Sequence, residues 1–153
     1  MTNLLFVCTA NICRSPMAEG LARTIALEYG LGVDVQSAGT MKLYNRPAAP
    51  HSIAVLKDIG IDISNHKSQG VTEDLVNWAD YILVMQMRHS QKIRREFNHV
   101  EDKIMMLGTF GGQQEISDPI GGWKFQFRWC RNKIDRSIRS FFDQLRLNIN
   151  PNR

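Results

Sequence analysis

Residues 4–17 read LLFVCTANICRSPM and join an apolar run, a short loop and a helix start. The run Leu4–Val7 is apolar at every position rather than at alternate ones, which is typical of a parallel strand buried on both faces. Ser15 and Pro16 predict a helix start, because serine favours the N-cap and proline the first helical position. The loop between them, Cys8–Arg14, has the spacing Cys-x5-Arg. These features predict a strand–loop–helix unit with a thiol at one end of the loop and a fixed cation at the other.

The rest of the chain alternates strand and helix patterns. Further strands are predicted over Val33–Ser37, Asp80–Met85 and Lys103–Leu107, and helices over Met17–Tyr29, Pro50–Asp58, a short stretch from Thr72, Arg88–Phe97 and Trp123–Leu145. This order predicts an α/β fold with three α/β/α layers and a four-stranded, mainly parallel, twisted sheet. Residues 1–153 are predicted to form one domain with a polar tail from about residue 148. The glycine-rich stretch Gly108–Gly122 is predicted to be a long functional loop.

Composition narrows the class of protein. The net charge is +4, but 19 Lys and Arg are interleaved with 15 acidic residues, which favours anionic substrates over nucleic acid. No segment reaches transmembrane length, and the apolar run near the N-terminus has no basic residue before it, unlike a signal peptide. An odd number of cysteines, three, does not suggest a disulfide scaffold. We therefore expect a cytoplasmic enzyme with neither a membrane nor a nucleic-acid partner.

The Cys8–Arg14 loop has the parts of a phosphate-binding loop. In open α/β sheets, ligands bind beyond the carboxyl ends of the strands, where this loop begins. Successive backbone N–H groups and a helix N-terminus favour an anion there, and favour thiolate over thiol at Cys8. Arg14 offers a planar fork for two phosphate oxygens, Asn11 tolerates a left-handed turn, and Ser15 could donate a hydrogen bond to the sulfur. The predicted phosphate-binding residues are Thr9, Ala10, Asn11, Ile12, Cys13, Arg14 and Ser15.

The cysteines also have structural interpretations. A cysteine in an apolar stretch is often an inert core thiol, and Cys-x5-Arg alone occurs by chance. The flanking strand and helix signals favour the catalytic interpretation for Cys8. Cys13 is either a partner for a protective disulfide with Cys8 or a small packing residue, and Cys130 lies on the apolar face of the last predicted helix.

Asp118 is the best candidate for the acid that such chemistry needs. Phosphoryl transfer to sulfur requires a proton for the leaving oxygen. Asp118 precedes Pro119 in the glycine-flanked loop after the fourth predicted strand, which places it at the same edge of the sheet as Cys8. The alternative is a turn-forming aspartate before proline.

The sequence resembles the low-molecular-weight protein tyrosine phosphatases. Val7–Glu19, VCTANICRSPMAE, is similar to the signature of that family. Further matches are Ser37–Thr40 at the end of the second strand, Ile61–Ser64 with His66 in the next loop, and Asp118-Pro119 in the acid loop. The resemblance covers roughly residues 3–147.

The resemblance implies a mechanism and a set of partners. Cys8 would be the nucleophile, Arg14 the phosphate clamp, and Asp118 the acid and then the base. Asn11, Ser15, Ser37 and His66 would hold the loop, although a single histidine near a loop is more often structural. The implied reaction is hydrolysis of a phosphotyrosine protein or another aryl phosphate monoester through a cysteinyl-phosphate. It needs no metal or cofactor, and the enzyme would be a monomer or weak dimer.

Three positions depart from the family pattern. Ala10 stands where the family usually has glycine, Gln86 where it has an acid, and Ile120 where it has an aromatic residue. That aromatic residue forms part of the wall for a phosphotyrosine ring, so its loss weakens the inference about substrate but not that about chemistry. Tyr44 could supply the other wall, or it could be a tyrosine in a surface turn.

Two alternative functions share some of these features. Thioredoxin-coupled arsenate reductases share the fold and the loop, but they need resolving cysteines after the third strand, and residues 86–102 contain none. A non-catalytic phosphoprotein-binding module would lack the nucleophile or the acid. Because Cys8, Arg14 and Asp118 are all present, the sequence favours the phosphatase.

Overall fold

A computed structural model describes residues 1–149 of the protein. Its strands are β1 (Thr2–Cys8), β2 (Val33–Gly39), β3 (Tyr81–Val84) and β4 (Ile104–Met106). Its helices are α1 (Arg14–Tyr29), α2 (Pro50–Lys57), α3 (Glu73–Trp78), α4 (Met87–Glu96), α5 (Leu107–Phe110) and α6 (Lys124–Ile149), with a 3₁₀ helix over Asn98–Lys103. The predicted α/β alternation is therefore confirmed.

The four strands form one sheet in the order β2-β1-β3-β4. All three neighbouring pairs are parallel: Phe6 lies opposite Ser37 of β2 and Leu83 of β3, and Val84 lies opposite Met106 of β4. The carboxyl ends of all four strands consequently meet at one edge of the sheet, which is the edge where ligands bind in this class of fold.

Burial of both faces of β1 explains why its sequence is apolar at every position. Leu4 and Phe6 pack on one face with residues of α1 and α6, whereas Leu5 and Val7 pack on the other with residues of α3 and α4. All four side chains are fully buried. The three layers are the consequence, because each face of the parallel sheet needs its own cover of helices.

The start of α1 differs from the prediction. The N-cap is Cys13, so that Ser15 and Pro16 lie within the first turn instead of opening it. The loop already closes onto the helix through a hydrogen bond from the Met17 N–H to the Cys13 carbonyl (3.4 Å). The Ser15 hydroxyl instead contacts Cys8 and Asn11, because all three side chains are buried together. Predicting Ser15 as the N-cap was wrong by two residues.

The segment predicted as one long loop, Gly108–Gly122, is helical at its start. α5 occupies residues 107–110, and a Cβ at Gly108 would lie only 2.9 Å from the Gln114 carbonyl oxygen. Residues 111–123 form turns and irregular backbone, so this part of the predicted loop is confirmed as a loop. At the other end of the chain, α6 includes Asn148 and Ile149, and the remainder of the predicted polar tail lies outside the described residues.

Candidate active site

Asn11 organises the loop between β1 and α1. Its φ of 61° lies in the left-handed region, as predicted, and its side chain is fully buried. Its Nδ2 donates to the hydroxyls of Ser15 (2.7 Å) and Ser37 (2.9 Å), while its Oδ1 accepts from the Gln69 N–H (3.0 Å). The structure therefore brings together three of the predicted supporting residues around one amide.

His66 supports the same loop through its backbone. Its Nε2 donates to the Asn11 carbonyl at 2.7 Å, since a carbonyl oxygen can only accept. Its Nδ1 lies 4.0 Å from Glu19 Oε2. The structure thus places His66 behind the loop, where it holds the strained residue Asn11 from the main-chain side.

Gly39 allows the loop to lie against the end of β2. A Cβ at this position would meet the Thr9 carbonyl oxygen at 2.7 Å and Asn11 N at 2.9 Å. The Thr40 N–H donates to the Cys8 carbonyl (3.0 Å), and the Met41 N–H to that of Thr9 (2.9 Å). Only glycine fits such a close approach of two backbones. The sequence showed Gly39 only as a strand end.

Cys8 lies at the base of a small pocket at the carboxyl edge of the sheet. The residues that line it are Cys8, Ala10, Ile12, Cys13, Arg14, Asp118 and Ile120. Cys8 Sγ is 3.0 Å from Ser15 Oγ. Because Ser15 Oγ already accepts from Asn11 Nδ2, its own proton is available to the sulfur, where it would stabilise a thiolate.

Arg14 is a buried cation, only 1% exposed. Its Nη1 donates to Gln86 Oε1 (2.6 Å) and to the Ile116 carbonyl (2.8 Å), which uses both N–H groups of that nitrogen. Nη2 lies 3.3 Å from Thr9 Oγ1. Nε is buried and has no hydrogen-bond partner among residues 1–149. Nε therefore keeps its N–H for an external ligand, and with the second N–H of Nη2 it forms the planar edge that matches two oxygens of a phosphate.

Asp118 reaches the pocket from the loop before α6. Its Oδ2 lies 3.5 Å from Arg14 Nη2, and its side chain is 28% exposed. Its Oδ1 accepts from the Ile120 N–H (3.1 Å), which forms a local turn. The two oxygens are thus differentiated: Oδ1 orients the carboxylate, and Oδ2 faces the site. The turn role and the acid role of this residue are compatible.

Cys13 lines the same pocket but differs from Cys8 in its surroundings. Burial, together with the negative groups at Asp118 and Cys8, raises the pKa of the Cys13 thiol to about 12. Burial likewise raises the pKa of Cys130 to about 12, and this side chain packs in the core as predicted. Both groups are therefore thiols near neutral pH, and a redox role for Cys13 stays a prediction.

The structure separates the two predicted wall residues. Ile120 is 57% exposed and lines the pocket together with Ile12. Tyr44 is not among the residues that line the pocket, and its hydroxyl lies beside Gly70, where a Cβ would be only 2.7 Å away. Leu43, the residue before Tyr44, borders a neighbouring apolar groove, and Tyr44 is not among the residues that line that groove. The wall that the structure brings to the pocket is aliphatic.

Sequence reasoning missed part of the surroundings of Arg14. Gln86 stood out only as a departure from the acidic residue of the family, whereas its side chain binds Arg14 directly. His89 was not singled out, although its buried ring contacts Thr9 (2.9 Å). The spacing Gln-x-x-His, with partners at the N-cap and the third helical residue of α4, was the available signal.

Residues 1–149 show neither a metal-binding cluster nor a membrane-spanning helix. No group of three or more His, Cys, Asp or Glu side chains in this part of the chain could hold a metal ion. None of its helices is both long and apolar enough to cross a membrane.

A thiol and a buried arginine at the two ends of a loop that follows the first parallel strand, with a carboxylate beside them, are the parts of a cysteine-dependent phosphatase. Residues 3–150 match the family described as low molecular weight phosphotyrosine protein phosphatase, and the chain belongs to that family. It is 37% identical to a protein-arginine-phosphatase from Bacillus subtilis (94% of this chain, 97% of the relative). It is 38% identical to the probable tyrosine phosphatase EpsP from Ralstonia solanacearum (94% and 95%).

A solved structure shares the fold closely. It is that of a mutant YwlE arginine phosphatase with a phosphorylated active-site serine. The TM-score is 0.91 at 35% identity, over 95% of this chain and 96% of that one. The protein is thus a phosphatase of a cysteine-dependent family. Its sequence is about equally similar to a relative named as an arginine phosphatase and to one named as a tyrosine phosphatase.

Proposed function

We propose that the protein hydrolyses phosphotyrosine in proteins through a cysteinyl-phosphate on Cys8. The observation that carries the proposal is the buried, unpartnered Nε of Arg14 in the pocket of Cys8, beside Nη2, which lies 3.5 Å from Asp118 Oδ2. A buried guanidinium with an unpartnered N–H is costly unless a ligand completes its hydrogen bonds. A phosphate group is the ligand that this fork and the loop N–H groups fit together.

In the first step, the Cys8 thiolate attacks phosphorus and the bond to the leaving oxygen breaks. Asp118 gives its proton to that oxygen from Oδ2. Arg14 and the backbone N–H groups of the loop stabilise the charge on the equatorial oxygens. The hydroxyl of Ser15, held by Asn11, stabilises the sulfur as a thiolate when it leaves again.

In the second step, water attacks phosphorus and the S–P bond breaks. Asp118, now a carboxylate, takes a proton from the water, and the products are inorganic phosphate and the Cys8 thiolate. This proton transfer returns Asp118 to its protonated starting state. Neither step changes an oxidation state, so no oxidant or reductant takes part. The two steps together amount to hydrolysis of a phosphate ester, and no resolving cysteine takes part in them.

The lining of the pocket favours an aryl substrate. Ala10, Ile12 and Ile120 present apolar surface around the phosphate position, which suits an aromatic ring. Phosphoarginine is the second candidate because of the arginine phosphatase relatives. Its cationic guanidinium would need acidic partners, and Asp118 is the one carboxylate among the pocket-lining residues. Phosphotyrosine is therefore the substrate we propose.

We place this activity in a single catalytic domain that acts on phosphoproteins in the cytoplasm. Residues of the loop between β1 and α1, of the N-terminus of α4 and of the loop before α6 meet at one site. Cys8, Cys13 and Cys130 are free thiols, which suits a reducing compartment.

Substituting Asp118 by asparagine should separate substrates by their leaving groups. With D118N we expect kcat for phenyl phosphate to fall by about 10²–10³-fold, since a poor leaving oxygen needs the proton. The loss for p-nitrophenyl phosphate, a better leaving group, should be smaller. Asp62, an exposed aspartate in another loop, gives the matched control D62N with unchanged rates for both substrates. Equal losses for the two substrates would contradict the acid role.

Peptides of one sequence carrying phosphotyrosine, phosphoserine or phosphoarginine test the substrate class. We expect kcat/KM to be highest for phosphotyrosine. An aromatic pair adds about 0.5–1.5 kcal/mol beyond area burial, so I120Y should raise that value by roughly two- to tenfold. The matched change I120L should leave it near that of the wild type. A wild-type preference for the phosphoarginine peptide would overturn the proposal in favour of the second candidate.

A further inference from the structure

His89 contacts Arg14 indirectly, through a hydroxyl of the phosphate-binding loop. The ring is 1% exposed and belongs to the first turn of α4. Its Nε2 is 2.9 Å from Thr9 Oγ1, and the same oxygen is 3.3 Å from Arg14 Nη2. Neither Thr9 nor His89 lines the pocket itself. Any contribution from His89 must therefore act by positioning.

The hydrogen bonds select one tautomer of His89. Its Nδ1 accepts from the backbone N–H of Gln86 at 3.1 Å, so this nitrogen carries no proton. The proton of the neutral ring is therefore on Nε2 and is donated to Thr9 Oγ1. A doubly protonated ring would place two N–H groups against each other at Nδ1. The local geometry thus accepts only the neutral form with the proton on Nε2.

The charges around the ring act in the same direction. Burial, and then the positive charges of Arg14 and Arg88, lower the pKa of His89 to about 3. Of the carboxylates in this region, Asp118 is paired with Arg14, and Glu115 accepts from the Met87 N–H at the start of α4 (2.8 Å). His89 therefore stays neutral across the physiological pH range, and its donation to Thr9 does not switch on and off.

Thr9 Oγ1 receives two donors, His89 Nε2 and Arg14 Nη2. A hydroxyl oxygen has two acceptor positions, so both are used and the oxygen is held in one place. Arg14 Nη1 is held separately by Gln86 and by the Ile116 carbonyl. Together these contacts fix the plane of the guanidinium on two sides, and the Nε–Nη2 edge is aimed into the pocket.

We propose that His89 is a positioning residue that orients the phosphate-binding edge of Arg14 through Thr9 Oγ1. This inference rests on phosphate binding by the Arg14 fork, but not on the choice of phosphotyrosine. The orientation of the guanidinium matters most while it stabilises the charge of a phosphate. A small rotation would break the match between its two N–H groups and two phosphate oxygens. Loss of His89 should therefore weaken binding of any phosphate-like ligand.

A double-mutant cycle tests this coupling. H89L and T9V each remove one partner of the hydrogen bond between His89 and Thr9. Each replaces that partner with an apolar side chain of similar size. We expect each to raise the inhibition constant of inorganic phosphate by about tenfold and to lower kcat/KM for p-nitrophenyl phosphate similarly. The double variant should lose no more than either single variant. H89Q, which keeps a side-chain N–H donor, and T9S, which keeps the hydroxyl, should restore most of both values.

Controls separate positioning from general loss of structure. Ser90 is the buried neighbour of His89 in α4, and S90A should leave the inhibition constant unchanged. If H89L unfolds, T9V and T9S still test the link, because valine and serine differ little from threonine in size. Multiplying losses in the double variant, or T9V and T9S that both bind phosphate like the wild type, would overturn the proposal. A wild-type enzyme that binds inorganic phosphate in calorimetry but hydrolyses no phosphate ester would instead count against the proposed function.

Discussion

The variant C8S is expected to lose turnover of aryl phosphates by on the order of 10⁴-fold or more, as when other covalent nucleophiles are removed. The serine hydroxyl is not ionised near neutral pH, and the hydrogen bond from Ser15 and the loop N–H groups stabilise a thiolate that the variant cannot form. Steady-state rates with p-nitrophenyl phosphate under reducing conditions measure the loss.

The fold and the phosphate site should survive this change. Protection of C8S against thermal unfolding by inorganic phosphate should therefore resemble that of the wild type. Intact-mass measurement after incubation with substrate would detect a trapped phosphoserine, as in the YwlE mutant with its phosphorylated active-site serine. The matched control C130A removes a core thiol outside the pocket and should keep activity within about threefold. Activity of C8S close to that of the wild type would contradict the nucleophile role.

The variant R14K is expected to lower kcat/KM by about 10³-fold, although it keeps the positive charge. A lysine offers one ammonium in place of the planar fork, so the two-oxygen match is lost. It also cannot satisfy Gln86 and the Ile116 carbonyl while reaching the phosphate. Phosphate inhibition should weaken in parallel, because the ground state and the transition state both use the fork.

Arg131 provides the matched control for a buried Arg-to-Lys change. It is 9% exposed, and its Nη1 donates to the Val55 carbonyl at 2.7 Å. R131K should cost stability, measurable by urea unfolding, while kcat/KM stays near that of the wild type. If R131K lowered kcat/KM as much as R14K, the effect would reflect destabilisation rather than phosphate recognition.

The sequence predicted the fold well where burial pattern and chain order act together. β1 is apolar at every position because both faces of the sheet are covered, and strands that alternate with helices pair in parallel. Start signals were less informative at α1, because Ser15 has two possible uses for its hydroxyl. The hydroxyl can either cap the helix or bond to other side chains. Burial beside Cys8 and Asn11 favours the bonds to side chains.

Some residues of the candidate site could be predicted from the sequence, and others could not. The Cys8–Arg14 loop and Asn11 follow from residue types at short spacing, and Asp118 was found by its position after the fourth strand. The actual contacts of Tyr44 could not be predicted, since loop orientation depends on packing against Gly70. His89 was hidden for a similar reason: the Gln-x-x-His spacing could indicate a helix cap at α4, but not that the ring is buried against the loop.

By itself, the sequence determined the chemistry that this protein can carry: a thiol, a fixed cation and an anion-binding turn are joined by local covalent spacing. Only the tertiary structure decided how that chemistry is aimed. Gln86 and the Ile116 carbonyl reach Arg14 from 72 and 102 residues further along the chain. They do so because the parallel strands bring their carboxyl ends to one edge, so that Arg14 lines the same pocket as Cys8 and Asp118.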